Sequence, residues 1–341
     1  MENWQIFKNL LQKHYKRYPK MQLQDMVKLI YQNEFGGGHL IANEQDSMKR
    51  LKEEYDAIKQ VPQGNVTYSL FEDIGNGLYR LHLSALKNTG IDLATVNKFF
   101  VNTANSVRGS IESFEKKLEA LKKCCEEKTL PYSLQECEAY LNDYKKQGYP
   151  PVSHSRIFQS LYLPAYRIVK AEYNDYFEVF NRIDSLLKLQ GTVNVAIDGK
   201  SGAGKSTLAE LIGNVYDCNI FHMDDFFLTP ELRTEERLKE VGGNVDYVRF
   251  RREVIEGLQS GCEFQYRKYD CSKKAMGEYI NVIPKRLNII ECSYSMHPTL
   301  IDFYHLKIFL DVDEETQSLR ILERNGPYMY RRFLNEWIPL E

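Results

Sequence analysis

One nonapeptide limits what this chain can fold into. Gly199-Lys200-Ser201-Gly202-Ala203-Gly204-Lys205-Ser206-Thr207 follows the apolar, β-branched run Thr192 to Ile197 and precedes the helix-forming Leu208-Ala209-Glu210-Leu211. The pattern is G-x-x-x-x-G-K-[ST] between a strand and a helix. Its glycines let the backbone curl until successive N–H groups face one anion. The helix that starts near Gly204 adds the positive end of its dipole. The spacing therefore predicts that Gly199, Ser201, Gly202, Ala203, Gly204, Lys205, Ser206 and Thr207 hold the phosphates of a nucleotide such as ATP. Lys205 would reach the β- and γ-phosphates, and Ser206 would ligate Mg²⁺. The bland alternative, a fortuitous glycine turn, does not explain strand, loop, Lys-Ser and helix together.

The surrounding pattern extends the reading. Short apolar runs at Asn219 to Met223, Leu287 to Ile290 and Leu306 to Leu310 alternate with helical patterns such as Phe250 to Leu258 and Glu315 to Arg324. Buried strands alternating with helices predict an α/β domain, a P-loop NTPase with a parallel sheet flanked by helices, over residues 190–341. The first half reads differently. Helical spacing at Trp4, Phe7, Leu10, Leu11, Tyr15 and Tyr18 is repeated at Leu23 to Tyr31 and from Asp46 to Lys59. Tyr68 to Ile74 and Leu78 to Leu83, joined by Gly75-Asn76-Gly77, predict a β-hairpin. Asp92 and Ser110 are candidate helix caps, and Ser133 with Glu136 is a capping-box pair. Ile111, Phe114, Leu118 and Leu121 are expected on one helix face. The expected organisation is a mainly helical accessory domain at 1–163, a connecting helix at 164–189 and the P-loop domain at 190–341.

Composition narrows the function classes. The 341 residues carry a net charge of −2, with 43% hydrophobic and 12% aromatic side chains. Residues 1–190 sum to +3 and residues 191–341 to −5. Neither half has the basic excess of a nucleic-acid binder. No apolar run reaches the ~18 residues of a membrane span, and the start lacks the layout of a secretory signal. Seven cysteines without metal-type pairs predict reduced thiols and a cytoplasmic setting. The oligomeric state is left open.

A carboxylate at a strand end can take the proton of an attacking hydroxyl. His222-Met223-Asp224-Asp225-Phe226-Phe227 is so placed, and Glu291 ends the next strand candidate. The order of Gly199 to Thr207, Asp224 to Phe227, Asn244-Val245-Asp246-Tyr247, Tyr269-Asp270, Ile290-Glu291 and Arg320 to Arg324 resembles the uridine kinase and nicotinamide riboside kinase group of P-loop kinases. The resemblance covers roughly residues 190–341. It implies transfer of the ATP γ-phosphate to a hydroxyl of a small, nucleoside-like substrate. It further implies Asp224 as general base, with Lys205, Arg320 and Arg324 supplying positive charge. Asp225, Asn244, Asp246, Tyr247, Tyr269 and Asp270 would bind the acceptor, and Ser206, Asp224 and Glu291 would hold Mg²⁺. Cys292 stands where the group has glycine, and Asn325 replaces an acidic lid residue. The cation facing the acceptor stays open among Arg267, Lys268, Lys273, Lys274 and Arg286. A rival reading is a nucleotide-dependent switch that controls the first half.

The first half resembles a domain found ahead of such kinases, which implies no activity. Gly36-Gly37-Gly38-His39, His82, Ser153-His154-Ser155-Arg156 and Pro164-Ala165-Tyr166-Arg167 stand out there. The histidines lack a metal-ligand spacing. His39 and His154 are expected as capping or core-satisfied groups.

Overall fold

The computed structural model describes residues 2–38, 41, 43–60 and 68–341. His39 lies outside the described residues. The chain forms two compact units, Met1–Asn181 and Arg182–Glu341.

In the first unit, helices α1 (Glu2–Arg17), α2 (Leu23–Phe35) and α3 (Glu44–Gln60) precede strands β1 (Phe71–Gly75) and β2 (Leu78–His82). Asn76 and Gly77 both take positive φ, 58° and 67°, in the two-residue turn between them. An Asn-Gly pair fits this turn because both positions need left-handed backbone. The helices α4 (Leu93–Ser106), α5 (Ile111–Glu126), α6 (Leu134–Lys146) and α7 (Arg156–Tyr162) follow. Their caps are those expected: Asp92 accepts from the Ala94 amide, Ser110 from Ser113, and Ser133 with Glu136 closes a capping box. Phe114, Leu118 and Leu121 enter the core, but Ile111 is half exposed at the first turn of α5.

The expected connecting helix over 164–189 is not one helix. Tyr166–Lys170 is a strand, β3, antiparallel to β2, with Arg80 opposite Ile168. Only then do α8 (Ala171–Asp175) and α9 (Phe177–Leu189) begin. Ile168 and Val169 are β-branched, which suits a pleated strand better than a helix. A free edge of the hairpin supplies the remaining hydrogen bonds, which helical periodicity cannot reveal. The unit boundary accordingly falls inside α9 rather than at residue 163 or 190.

The second unit carries a four-stranded parallel sheet in the order β5-β8-β4-β9. Its strands are β4 (Val193–Gly199), β5 (Cys218–His222), β8 (Leu287–Glu291) and β9 (Leu306–Leu310). The segment before β8 also holds an antiparallel pair absent from the sequence reading, β6 (Phe264–Asp270) and β7 (Ala275–Val282). Helix α10 (Lys205–Gly213) follows β4. Three short pieces come next, α11 (Glu235–Leu238), α12 (Tyr247–Phe250) and, beyond a π turn, α13 (Glu256–Ser260). Finally α14 (Glu314–Arg332) is broken at Gly326, where φ is 74° ahead of Pro327. No described helix is long and apolar enough to cross a membrane. All seven cysteines are free thiols.

Candidate active site

Strand register builds the site. Glu291 of β8 lies opposite Ile197 of β4 on one side and His222 of β5 on the other. The loop that leaves β4, the Glu291 carboxylate and the turn after His222 therefore meet at one edge of the sheet. The connections leaving β4 and β8 run in opposite directions across the sheet, which opens a crevice at the carboxyl ends of the strands.

The glycine loop is held by its neighbours. A Cβ on Gly199 would lie 2.0 Å from the Leu310 carbonyl oxygen, so β9 excludes any side chain there. Gly202 and Gly204 have φ of 77° and 95°. Lys205 folds back over the loop and donates to the carbonyls of Gly199 (2.8 Å) and Lys200 (2.9 Å) and to Ser293 Oγ (2.9 Å). This is a P-loop α/β fold. Two solved structures are similar to it. One, described as a "putative fructose transport system kinase" from Silicibacter sp. TM1040, is 22% identical with a TM-score of 0.38, over 46% of this chain and 89% of that one. The other, described as a "possible uridine kinase" from Bacillus stearothermophilus, is 20% identical with a TM-score of 0.33, over 47% of this chain and 94% of that one. No family model matches the chain, and no curated protein does.

The carboxylates sit beside this loop. Ser206 Oγ donates to Glu291 Oε1 at 3.2 Å, and His222 Nδ1 is 2.5 Å from the same oxygen. The Glu291 carboxylate raises the pKa of His222. In the turn after β5, Met223 and Phe226 are fully buried. Phe226 packs against Phe250 and Tyr266, with the Arg249 guanidinium 4.3 Å above its ring. These anchors leave Asp224 to face the cleft. Crowding by protein atoms, with Glu291 next in importance, pushes the Asp224 pKa upward. Its Oδ1 accepts from the buried Cys292 thiol at 3.4 Å.

The structure also pairs the Asp224 to Phe227 segment with Asn244 to Asp246. Leu228 N donates to the Asn244 carbonyl, Asp246 N to that of Phe226, and Phe227 bridges Val245. Asp246 caps α12 through the Arg249 amide. The Tyr247 ring stacks on His297 at 4.0 Å. Tyr269 is buried in β6, with the Arg233 guanidinium 5.9 Å from its ring centre. Asp270 accepts from the Ser272 hydroxyl and from the Lys273 and Ser272 amides in the β6–β7 turn, which lowers its pKa to about 2. Asp225 pairs with Lys268 at 2.7 Å. Of the five cations left open, Lys268 thus meets the Asp224–Phe227 segment. Arg286 instead binds carbonyls of residues 187–191, and Arg267 those of Met276 and Gly277.

Arg320 on α14 donates to the Gly202 carbonyl at 2.9 Å, whereas Arg324 turns to Asn325. Several residues here escaped the sequence reading. Asp198 accepts from the Gly199 and Met296 amides, Ser293 meets Lys205, and Gln317 donates to the Ser201 carbonyl. Glu341 also escaped it: its carboxylate accepts from the amide (2.9 Å) and hydroxyl of Ser201. Asp198 directly precedes the loop and Ser293 closely follows Glu291, so adjacency was the available signal for those two. Glu341 gave none.

Proposed function

We propose that the second unit transfers the γ-phosphoryl group of ATP to a hydroxyl of a small, nucleoside-like molecule. One observation supports this most: the register that sets Lys205, Glu291 and Asp224 along one sheet edge. A phosphoryl donor and an alcohol can then be held in line within a single cleft. Lys205 balances charge on the transferring group, and Arg320 adds a cation at the loop. Asp224 accepts the proton of the attacking hydroxyl. Its raised pKa makes it a better base than a solvated carboxylate.

Ser206, Asp224 and Glu291 suit Mg²⁺, because a hydroxyl and two mutually repelling carboxylates favour a hard divalent cation. Bound there, the ion would neutralise phosphate oxygens. Among the described residues no cluster of three or more His, Cys, Asp or Glu side chains forms a dedicated metal cage.

Incubation with Mg-ATP and pooled nucleosides, followed by mass spectrometry, tests the reading. A product heavier by one phosphate, lost in K205A, is expected. The seat of Glu341 in the loop favours a second reading, a nucleotide-driven switch, since a nucleotide would displace part of the chain. Slow hydrolysis with no phosphorylated acceptor would support that reading instead.

A further inference from the structure

Lys268, Arg249 and Arg233 all reach the segment Asp224–Leu228, which carries the proposed base. Lys268 pairs with the Asp225 carboxylate at 2.7 Å. Arg249 donates to the Asp225 carbonyl at 3.3 Å and lies between Asp246 at 3.7 Å and Glu253 at 3.4 Å. A carboxylate therefore meets the charge of each. Arg233 differs. Its Nε donates to a neutral oxygen, the Leu228 carbonyl, at 3.0 Å, and among the described residues no carboxylate pairs with it.

Local structure fixes this guanidinium. The 3-10 turn Pro230–Leu232 opens on a proline, whose fixed φ suits a first helical position. The turn brings Arg233 back to Leu228, five residues earlier. Leu228 is buried, and its own amide donates to the Asn244 carbonyl. The oxygen that holds Arg233 Nε is thus itself held. With Nε engaged, Nη1 and Nη2 have no protein acceptor among the described residues.

Two neighbours show what this fork adjoins. The Tyr269 ring centre lies 5.9 Å from the guanidinium carbon. Tyr269 is 5% exposed, yet its hydroxyl has no hydrogen-bond partner among the described residues. Buried hydroxyls are ordinarily satisfied, so an orphan beside a free guanidinium marks a place for a ligand oxygen. The second neighbour is the Cys271 thiol, just past the end of β6. Burial raises its pKa, Arg233 opposes the rise, and Asp270 and Asp224 add to it. Charges act on one thiol in this way only within roughly 10 Å. Arg233 and Asp224 therefore border the same space.

We propose that the acceptor phosphorylated at this site carries an anionic group, a carboxylate or a phosphate, which Arg233 and Tyr269 hold while the acceptor hydroxyl faces Asp224. This assignment rests on the phosphoryl-transfer reading and specifies its acceptor. Transfer forms a P–O bond to the acceptor oxygen, breaks the β–γ P–O bond of ATP and releases ADP. The hydroxyl proton passes to Asp224. A neutral acceptor would leave the Arg233 charge unmatched. A carboxylate or phosphate instead accepts parallel bonds from Nη1 and Nη2, and a charge-assisted bond from the Tyr269 phenol. An anionic acceptor also approaches the ATP phosphates and the Asp224 carboxylate. A cation with no carboxylate of its own offsets that repulsion.

The test compares transfer from Mg-ATP to uridine, orotidine and uridine 5′-monophosphate, and to ribose and ribose 5-phosphate. At least one anionic probe should exceed its uncharged counterpart in kcat/KM by about tenfold or more. Preference for orotidine assigns the group as a carboxylate, and preference for the monophosphates assigns it as a phosphate. R233Q should raise the KM of the preferred probe by about tenfold or more, with smaller changes in kcat and in nucleotide affinity. R233K should recover part of the loss, and Y269F should raise the same KM by a lesser factor. Uncharged acceptors used as well as their anionic counterparts would overturn the proposal. So would an R233Q variant that loses kcat or nucleotide affinity with its acceptor KM unmoved. Both results leave the phosphoryl-transfer reading standing. Product from none of these acceptors would instead defeat that reading. Calorimetry with the anionic probes, on the chain loaded with a Mg-bound, non-hydrolysable ATP analogue, then decides the role of Arg233. Binding that R233Q weakens upholds the anion site, and its absence overturns it.

Discussion

Glu341 holds Ser201 by two hydrogen bonds, one from the backbone amide and one from the hydroxyl, and Gln317 supports the same carboxylate at 3.2 Å. A carboxylate thus sits where the loop's amides would otherwise face phosphate. Loops of this kind are anion receptors before they are nucleotide receptors. The nucleotide binding proposed for this unit would therefore compete with the chain's own anion.

The E341Q variant removes the charge and keeps the shape. Losing a charge-assisted bond in favour of a neutral one costs the closed state about 1 kcal/mol. Mg-nucleotide affinity should therefore rise by about fivefold, read by fluorescence of a labelled nucleotide. Unchanged or weaker binding would show that Glu341 does not compete for the loop.

Asp224 can act as a base only when ionised. Because its pKa is raised, kcat/KM should fall on the acid side at a pH above the ordinary carboxylate value. D224N should lose phosphoryl transfer by about 10²-fold or more while still binding nucleotide. In C292A the carboxylate loses a donor, so its acid limb should move to higher pH. Transfer retained in D224N would defeat the base assignment.

In the first unit, Glu72 is buried among Arg80 at 3.3 Å, His82 at 3.5 Å and Tyr18 at 2.7 Å. Burial raises its pKa, but His82, Arg80 and His14 outweigh that and hold it far below the usual range. E72Q leaves the fully buried Arg80 without this carboxylate. It should destabilise the chain by about 3–5 kcal/mol, seen as a lower denaturation midpoint. A loss under ~1 kcal/mol would mean that the pair adds little beyond its own desolvation.

Acid should weaken the first unit in two stages. His14 and His154 are neutral in the fold, each with a pKa lowered to about 4 by burial. The unfolded chain takes up these protons first, so stability declines as pH falls from ~6.5 toward 4, by about 2–3 kcal/mol per histidine. The depressed Glu72 adds a further loss below about pH 4.5, since the unfolded carboxylate protonates first. Thermal melts across pH 4–8 check this, and a flat profile between 6.5 and 4.5 would contradict it.

Much of the second unit was legible from local chemistry. Leu306 to Leu310 is β9 to the residue, and Gly199 to Thr207 runs from the end of β4 through a glycine-rich turn into α10, as its spacing predicts. Local pattern also gave the Asn76-Gly77 turn and the caps at Asp92, Ser110 and Ser133, because each depends on residues within four positions. Tyr166 to Lys170 was misread because its strand character comes from pairing with β2, some 90 residues earlier. The antiparallel β6–β7 pair was missed for a similar reason. Its mixed burial leaves little alternation to read.

The sequence alone determined that a glycine-rich turn leads from a buried strand into a helix, because loop curvature and helix dipole are properties of nine consecutive residues. Only the tertiary structure decided what surrounds that loop. Cys292 against Asp224, Glu341 against Ser201, and Tyr166 against His154 and Gln32 are contacts set by sheet register and chain return. Such contacts link residues 12 to 140 positions apart, and no local periodicity encodes them.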